Sequence, residues 1–281
     1  MSSLSTEESP DDAKAGGTAR QRGAERPGLF SDERQDEILA LIRQEKRVSV
    51  TSLADRFAVV GETIRRDLAE LEHRGLIRRV HGGAIAVERV AFEPPIEDRH
   101  DLMRPEKERI ALAALAELPG EGSVFIEAGS TNSFLAGVLP ADCGLTIVTN
   151  GGYIATALAR HPSLTVLAVG GRVRPRSLAC VDDWALETLS RLRVTVAFLG
   201  TNGISLENGL TTPDSAEAAV KRAMLSIAEH TVLLADHSKF GVASLLRYGD
   251  VNQIHTVITD SGLPGGDMQE LQDAGLRVVR A

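Results

Sequence analysis

From residue 106 onward, continuous apolar runs alternate with amphipathic stretches, and this alternation limits the possible fold more than any other feature of the chain. Six apolar runs each end in small or polar residues: SVFIEAGST, LTIVTNGG, TVLAVGGR, VTVAFLGTNG, TVLLADHSK and HTVITDSG. Stretches with helical spacing precede or separate most of them, such as EKERIALAALAEL before the first run and AEAAVKRAMLSIAEH before TVLLADHSK. Buried strands that alternate with helices form mostly parallel sheets covered on both faces. We therefore predict a Rossmann-like α/β domain over residues 106–281.

The polar residues that end these runs predict a ligand site. In open parallel sheets, ligands bind beyond the carboxyl ends of the strands, where such residues converge. Gly129, Ser130 and Thr131 offer backbone N–H groups, little bulk and two hydroxyls at a predicted helix start, which suits a phosphate. Positive charge and hydrogen bonds to sugar hydroxyls would come from Lys239, Asn150 and Asp236. Each loop alone is weak evidence, since most Gly-rich turns are ordinary loops.

The segment TTPDSAEAAVKR has two interpretations that the sequence leaves open. Asp214, Glu217 and Lys221 could form a set of acid, base and lysine in the ligand site. The Asp214-x-x-Glu217 spacing is equally that of a helix-capping interaction, and Lys221 is an i+4 partner for Glu217. Arg172, which follows a Gly-Gly pair, could hold an anion or face solvent.

The N-terminal part of the chain contains three predicted helices followed by two short strands. Apolar residues lie on one helical face in each of SDERQDEILALIRQEKR, VSVTSLADRFAVV and ETIRRDLAELEHRG. The two strands, LIRRV and AIAV, are joined by the turn HGG. Three helices and a two-stranded ribbon are the plan of a winged helix-turn-helix domain. We place this domain at residues 31–87, with its helix-turn-helix motif at about 48–67.

Two pairs of arginines in this domain predict how it meets DNA. With Ile64 facing the core, an advance of about 100° per residue points Arg66 away from the core and Arg65 to the flank. Arg66 and Thr63 could then contact base edges or phosphates in the major groove. The wing would place three further residues against backbone phosphates: Arg78, Arg79 and His81. The alternative is a solvated helix in which Glu62 pairs with Arg66 at i+4.

The charge distribution is compatible with DNA binding, although the formal net charge of the chain is -8. Residues 31–87 hold ten Lys/Arg and ten Asp/Glu, whereas residues 88–281 hold seventeen Lys/Arg and twenty-four Asp/Glu. Binding to phosphates depends on where the local cations lie, so acidity elsewhere in the chain does not exclude a nucleic-acid partner.

The remaining segments predict a cytoplasmic protein without metal or cofactor. Residues 1–29 have almost no large apolar side chain, so we expect a disordered tail there and a linker at residues 88–105. No apolar run approaches the roughly 18 residues of a membrane helix, and no signal peptide is evident. Cys143 and Cys180 lack the spacing of a disulfide framework or a metal site. We expect Cys180 and Trp184 to be packing residues.

The segment TIRRDLAELEHRGLIRRVHGGA resembles the DNA-binding signature of the DeoR family of bacterial transcriptional regulators. Further blocks that match the family follow in order: EAGST, TNGG, VGGR, GLTTPDSAEAAVKR and ADHSKFG. The resemblance spans roughly residues 31–260. It implies a C-terminal sensor domain that binds sugar phosphates and whose fold is similar to that of ribose-5-phosphate isomerases and CoA transferases.

Three segments depart from the commoner family pattern. EAGST resembles a D-x-G-T-T phosphate loop, with Glu127 and Ser130 in place of Asp and Thr. Val59 and Val60 stand where Val-Ser is common before the recognition helix, so the usual capping side chain is missing. LACVDDWALETL lacks a glycine near Asp182 and resembles the branch found beside fructose uptake and 1-phosphofructokinase genes.

The resemblance implies a sequence-specific transcriptional repressor of a sugar operon, with fructose among the candidates and no catalytic residues. It would be a homodimer or homotetramer that binds a double-stranded DNA operator and responds to a phosphorylated sugar. The rival is an isomerase-like enzyme with an attached DNA-binding head, supported by four residues able to move protons: Asp214, Glu217, Asp236 and Lys239. Fold similarity alone does not transfer an activity, which favours the regulator.

Overall fold

The computed structural model describes residues 31–73, 77–86, 93–140 and 142–281; the predicted tail and the first part of the predicted linker lie outside the described residues. The N-terminal domain contains α1 (Ser31–Glu45), β1 (Arg47–Ser49), α2 (Val50–Phe57), α3 (Gly61–His73), β2 (Ile77–Val80) and β3 (Gly83–Ala86). Its strands form an antiparallel sheet in the order β1-β3-β2. Three helices packed with a small sheet form a winged helix-turn-helix, as predicted.

The sheet of this domain has three strands, whereas the sequence pattern predicts two and assigns residues 47–49 to helices. Val48 is buried while its neighbours Arg47 and Ser49 are exposed, which is the two-residue period of a strand. Lys46 has a φ of 63°, in the left-handed region, where the helical path of α1 ends. The Ser49 side chain then accepts a hydrogen bond from the Ser52 backbone N–H and caps α2.

The three helices bury the apolar faces that the sequence predicts. The shared core contains Ile38, Leu41, Ile42, Leu53, Ile64, Leu68 and Leu71. A polar pair lies beside this apolar core, and the spacing of the apolar residues does not predict it. Arg34 Nε lies 2.6 Å from Asp67 Oδ2, and Asp67 is only 2% exposed. This ion pair joins α1 to α3 and therefore helps to hold the arginine-bearing helix in place.

The C-terminal domain alternates helices and strands. Its helices are α4 (Ile96–Asp101), α5 (Arg104–Ala114), α6 (Ser130–Val138), α7 (Gly152–Leu158), α8 (Asp183–Ser190), α9 (Ser215–Ile227) and α10 (Gly265–Asp273). Its strands are β4 (Ser123–Ile126), β5 (Thr146–Thr149), β6 (Thr165–Ala168), β7 (Arg172–Val173), β8 (Cys180–Val181), β9 (Val194–Leu199), β10 (Gly203–Ser205), β11 (Gly209–Thr212), β12 (Ala228–Leu234), β13 (Leu246–Gly249), β14 (Thr256–Thr259) and β15 (Arg277–Arg280).

Seven of these strands form a parallel sheet in the order β15-β14-β12-β9-β4-β5-β6. Within this sheet the chain runs from β4 outward through β5 to β6, and then returns to β9 on the other side of β4. The connections that leave β4 and β9 therefore diverge, and a crevice results at the carboxyl end of the sheet. β15 is a strand that the six apolar runs do not include, because its short RVVR segment has exposed arginines at both ends.

Helices cover both faces of the parallel sheet. α5 and α6 pack on one face through residues such as Ile110 and Leu135, and α9 and α10 pack on the other through Met224 and Leu271. β10, β11 and β13 form a small antiparallel sheet, and β7 pairs with β8. Within the described residues, no helix combines the length and the apolar composition needed to cross a membrane. The predicted α/β class with a covered parallel sheet is confirmed.

Trp184 is not the packing residue that the sequence suggests, because it is 77% exposed near the start of α8. Cys180 is half-buried. Asp182, which precedes α8, has a φ of 73°, a conformation that favours glycine. This is the neighbourhood in which the commoner family pattern has a glycine. The Asp182 carboxylate lies 2.5 Å from Arg172 Nε, so an ion pair accompanies the unfavourable backbone conformation.

Candidate functional site

The predicted DNA-contacting residues of α3 lie on its outer side. Arg65 and Arg66 are exposed and Thr63 is half-buried, whereas Ile64 is fully buried. Arg65 Nη1 lies 2.9 Å from Glu62 Oε2, so the ion pair of Glu62 is with Arg65 and not with Arg66. Within the described residues, the Arg66 side chain makes no hydrogen bond or ion pair. Its guanidinium group is therefore open to a partner from outside the domain.

The wing exposes the other three predicted residues, Arg78, Arg79 and His81. The Arg79 backbone N–H donates to Glu72 Oε1 at 2.8 Å, and the Arg79 guanidinium lies 4.0 Å from the same carboxylate. Gly82 has a φ of 76° in the turn between β2 and β3, a conformation that glycine adopts without strain. Glu72 therefore links the wing to the end of α3, and the cationic side chains of the wing remain on the surface.

A pocket opens at the crevice between β4 and β9, where the sheet topology predicts one. Three strand ends supply most of its lining: residues 127–132 follow β4, residues 200–202 follow β9, and residues 235, 236, 238 and 239 follow β12. Arg99 and Lys107, from α4 and α5, complete its positively charged lining. Among the described residues, no group of three His, Cys, Asp or Glu side chains could hold a metal ion. The pocket lining combines these cations with hydrogen-bonding groups such as Ser130 and Asn202.

Six of the nine predicted ligand-site residues line this pocket: Gly129, Ser130, Thr131, Glu217, Asp236 and Lys239. The other three are not in its lining. The Asn150 side chain is used inside the protein, where Oδ1 accepts from the Ala128 N–H at 2.8 Å and Nδ2 donates to the Cys180 carbonyl at 3.3 Å. Arg172 is exposed in its pair with Asp182, and Asp214 is the N-cap of α9.

The start of α6 provides the polar end of the pocket. The first N–H groups of a helix have no partner inside it, and Ser130 and Thr131 are buried there with their hydroxyls. Gly129 does not contribute a free donor, because its N–H binds the Tyr153 phenol oxygen at 2.7 Å. Asn132 adds a group that sequence reasoning missed. Its Oδ1 is buried and has no hydrogen-bond partner in the described part of the chain.

Lys107 and Lys239 bring positive charge to the pocket and act on Asp236. Burial alone would raise the pKa of Asp236, but the ammonium groups of Lys239 and Lys107 lower it to about 2. Burial lowers the pKa of Lys107 to about 8, an effect that Asp236 offsets only in part. The Lys107 ammonium donates to the carbonyl oxygens of Arg99 and Leu102, each at 2.5 Å. These carbonyls use two of the three N–H donors of the ammonium group, which leaves one for a bound anion.

A buried ion pair between Glu127 and Lys221 forms the floor of the pocket. Lys221 Nζ lies 2.5 Å from Glu127 Oε1 and donates to the Gly200 carbonyl at 2.9 Å. The Gly200 N–H donates to Glu127 Oε2 at 2.8 Å. Burial raises the pKa of Glu127 although Lys221 opposes the shift. Burial would lower the pKa of Lys221, but chiefly Glu127 raises it, so Lys221 stays cationic. The partner of Lys221 is therefore Glu127, not the i+4 residue Glu217.

Arg174 gathers three carboxylates beside this pair. Its Nε lies 3.0 Å from Asp214 Oδ2, and its Nη1 lies 3.3 Å from Glu217 Oε1 and also binds Glu93. Asp214 accepts the Glu217 backbone N–H at 3.0 Å and so caps α9. The Glu217 side chain contacts Arg174 and accepts a hydrogen bond from Ser177. Asp214 therefore caps α9. Glu217 lines the pocket, and its carboxylate belongs to the cluster of ion pairs around Arg174.

Sequence reasoning missed several residues of this pocket and of the ion-pair cluster beside it, and of Lys107, Glu93 and Arg174 only Lys107 has a local signal. Lys107 stands on the apolar face of α5, at i−3 from Ile110 and i−7 from Ala114, where a cation is unusual. Glu93 and Arg174 have no such signal, because 81 positions separate them in the chain. Their pairing follows only from the folded topology.

Two family models match the chain in order. The model described as the DeoR-like helix-turn-helix domain matches residues 34–90, and that of the DeoR C terminal sensor domain matches residues 103–261. The HTH-type transcriptional regulator GlpR of Haloferax volcanii is 37% identical over 251 residues, which are 89% of this chain and 98% of the relative. The glycerol-3-phosphate regulon repressor of Escherichia coli is 34% identical over 241 residues, 86% of this chain and 95% of the relative.

Among solved structures, ribose 5 phosphate isomerase A from Neisseria gonorrhoeae aligns with 48% of this chain and 53% of its own. Its sequence identity is 19% and its TM-score is 0.35, too low a similarity to bear on fold or function. Both family models match, and the relatives align over most of their length at more than 30% identity. This chain is a member of the DeoR family of transcriptional regulators.

Proposed function

We propose that the chain is a repressor that binds an operator through α3 and the wing and responds to a sugar phosphate in the pocket. The observation that carries this proposal is the pocket lining, in which the start of α6 lies together with Lys107 and Lys239. A helix N-terminus and ammonium groups suit a phosphate dianion. Asn132, whose Oδ1 has no hydrogen-bond partner in the described part of the chain, and Asn202 also line the pocket and suit sugar hydroxyls. The Escherichia coli relative is named for glycerol-3-phosphate, which is also a phosphorylated polyol.

We infer that fructose 1-phosphate and fructose 6-phosphate are the first effectors to test. The basis is the segment LACVDDWALETL, which resembles the family branch beside fructose genes. One winged helix contacts too few base pairs for useful specificity, so the operator is expected to carry two half-sites. A homodimer or homotetramer in the cytoplasm would supply the matching pair of DNA-binding domains.

The pocket supports a regulator better than an isomerase. Efficient base catalysis requires a pKa close to the working pH, whereas the pKa of Asp236 is about 2. Asp214 and Glu217 are occupied by Arg174, which leaves them without a free carboxylate for proton transfer. A sugar phosphate incubated with the protein should be unchanged when examined by NMR. An isomer formed in proportion to protein concentration, and lost in Lys239→Ala, would establish the enzyme instead.

Lys239→Ala should abolish the response to the effector and leave operator binding intact. The change removes an ammonium group from the phosphate end of the pocket, and charge-assisted hydrogen bonds are about twice as strong as neutral ones. The measurement is a thermal-shift screen with fructose 1-phosphate, fructose 6-phosphate and free fructose, followed by gel-shift titrations with operator DNA. A phosphorylated sugar should stabilise the wild type, free fructose should not, and the variant should respond to neither.

Arg222→Ala is the matched control for Lys239→Ala, because it removes an exposed cation from α9, outside the pocket lining. It should respond like the wild type. A full response in Lys239→Ala would contradict the position of the phosphate. A wild-type protein indifferent to every phosphorylated sugar would refute the effector and leave the DNA-binding proposal standing.

Arg79→Ala should weaken binding to all DNA sequences to a similar extent. An arginine on the wing that contacts a phosphate contributes to affinity without reading bases, so its removal should reduce the slope of log affinity against log salt by about 1. The test compares operator and random duplexes across a salt titration. An unchanged slope would exclude Arg79 from the phosphate contacts.

A further inference from the structure

Glu93 belongs to the segment that joins the two domains, yet its carboxylate is buried in the C-terminal one. It follows the end of β3 by only seven positions and is 2% exposed. Its Oε1 lies 2.9 Å from Arg99 Nη1 and accepts from Asn202 Nδ2 at 3.4 Å, while Oε2 binds Arg174. Arg176 Nη1 donates to the Glu93 backbone carbonyl at 2.6 Å. Four side chains therefore hold this one residue.

These contacts are part of the ligand pocket. Glu93, Arg99 and Asn202 line the same pocket as the start of α6 and Lys239. Glu93 does not use the full donor capacity of Arg99, whose Nε is buried and without a hydrogen-bond partner among the described residues. An anion that enters the pocket would meet a guanidinium group whose present carboxylate partner comes from the interdomain segment.

A phosphate dianion and the Glu93 carboxylate would compete for the same cation. The ion-pair cluster already holds more carboxylates than guanidinium groups, with Glu93, Asp214 and Glu217 against Arg99 and Arg174. Additional negative charge in a buried site is weakly screened and repels the carboxylates. Glu93 is the carboxylate that can leave, because Asp214 caps α9 and Glu217 lies in the first turn of that helix.

We propose that Glu93 couples the pocket to the DNA-binding domain, a step that rests on the proposed sugar-phosphate effector. While the Glu93 carboxylate is bound to Arg99 and Arg174, it holds the interdomain segment at the pocket. Binding of the phosphate displaces this carboxylate. The seven Cα steps from Glu93 back to Ala86 reach at most about 25 Å. Ala86 ends β3, the central strand of the DNA-binding domain's sheet. Release of the anchor therefore changes the positions that the wing can occupy.

Glu93→Gln tests this coupling, because it removes the charge and keeps the size of the side chain. Operator affinity is measured by gel shift for wild type and variant, with and without fructose 1-phosphate. Without ligand, the affinity of the variant should move at least about fivefold, toward the ligand-bound wild type. The effect of ligand on operator affinity should fall below about twofold in the variant, against the 5- to 150-fold typical of allosteric proteins. Glu93→Ala should show the same two changes in operator binding.

The matched control is Glu97→Gln, which neutralises an exposed carboxylate on α4, only four residues away. It should match the wild type in both measurements. Glu93→Gln should melt as a folded protein, because Arg174 retains Asp214 and Glu217 as partners. Ligand-induced thermal stabilisation should persist in it, which separates coupling from ligand binding.

The outcomes distinguish this proposal from the effector proposal. A wild type that responds to the sugar phosphate, with Glu93→Gln indistinguishable from it, overturns the role of Glu93 and leaves the function standing. A wild type without response, together with an altered operator affinity in Glu93→Gln, refutes the effector and supports the link through Glu93. An equal shift in Glu97→Gln, or no effect of ligand or variant, overturns the coupling.

Discussion

Arg66→Ala is expected to abolish sequence-specific operator binding while the protein stays folded. The side chain is exposed on α3 and makes no hydrogen bond or ion pair within the described residues, so its removal disturbs no internal contact. A good bidentate contact between arginine and guanine contributes about 1 to 3 kcal/mol of discrimination. Each subunit of a dimer would carry the change, so the loss of specific affinity should reach roughly 30-fold or more.

The measurement requires an operator, which can be selected from random duplexes with the wild-type protein and then used in gel-shift titrations. Arg160→Ala is the control, because it removes an exposed arginine from the C-terminal domain. That variant should bind the selected operator normally. Specific binding by Arg66→Ala within about twofold of the wild type would contradict the assignment of α3 to the major groove.

The contrast between Arg65 and Arg66 shows what local patterns reveal and what they leave open. A period of 3.6 residues is enough to place Ile64 inside and both arginines outside. It does not decide which arginine pairs with Glu62, because i+3 and i+4 neighbours are both within reach. The ion pair forms at i+3 with Arg65. β1 was missed for a related reason, since three residues are too few for a two-residue period to stand out.

The pocket was predictable in position and only partly in composition. Apolar runs with polar ends predict a site at the carboxyl edge of the sheet, and the pocket beside β4 and β9 lies at that edge. Asn150 has the right residue type and neighbourhood, but its amide satisfies two backbone groups instead. Glu93 and Arg174 are 81 positions apart in the chain, and neither the helix nor the strand period relates residues at such a separation. Pairings of this kind depend on the tertiary fold.

Lys221→Met should destabilise the C-terminal domain more than any surface substitution. It removes the cation that lies 2.5 Å from Glu127 and leaves a buried carboxylate whose one remaining hydrogen-bond donor among the described residues is the Gly200 N–H. Breaking a buried ion pair from one side typically costs about 3 to 5 kcal/mol, because the remaining charge is desolvated and uncompensated. Urea unfolding near neutral pH should show this loss as a lower free energy of unfolding for the domain.

The loss of unfolding free energy should depend on pH, and the direction of this dependence follows from the pKa of Glu127. Burial already raises the pKa of this carboxyl group, with Lys221 opposing the shift, so removal of Lys221 should raise the pKa further. The folded variant then holds a proton that the unfolded chain releases at about pH 4. Its free energy of unfolding should fall as the pH rises above that value and level off above the folded pKa. The deficit relative to wild type should be smaller at about pH 5 than at about pH 8.

The double variant Lys221→Met with Glu127→Gln separates the ion pair from the packing of the pocket floor. Both charges are then absent, and the glutamine oxygen can still accept the Gly200 N–H that Glu127 accepts at 2.8 Å. Replacement of a buried ion pair by neutral groups of similar size is often close to neutral for stability, so most of the lost free energy should return. The additional pH dependence should vanish as well, because the titrating carboxyl group is gone. A double variant as unstable as Lys221→Met would mean that the lysine side chain stabilises the fold by packing under Tyr248, whose ring centroid lies 5.1 Å from Lys221 Nζ.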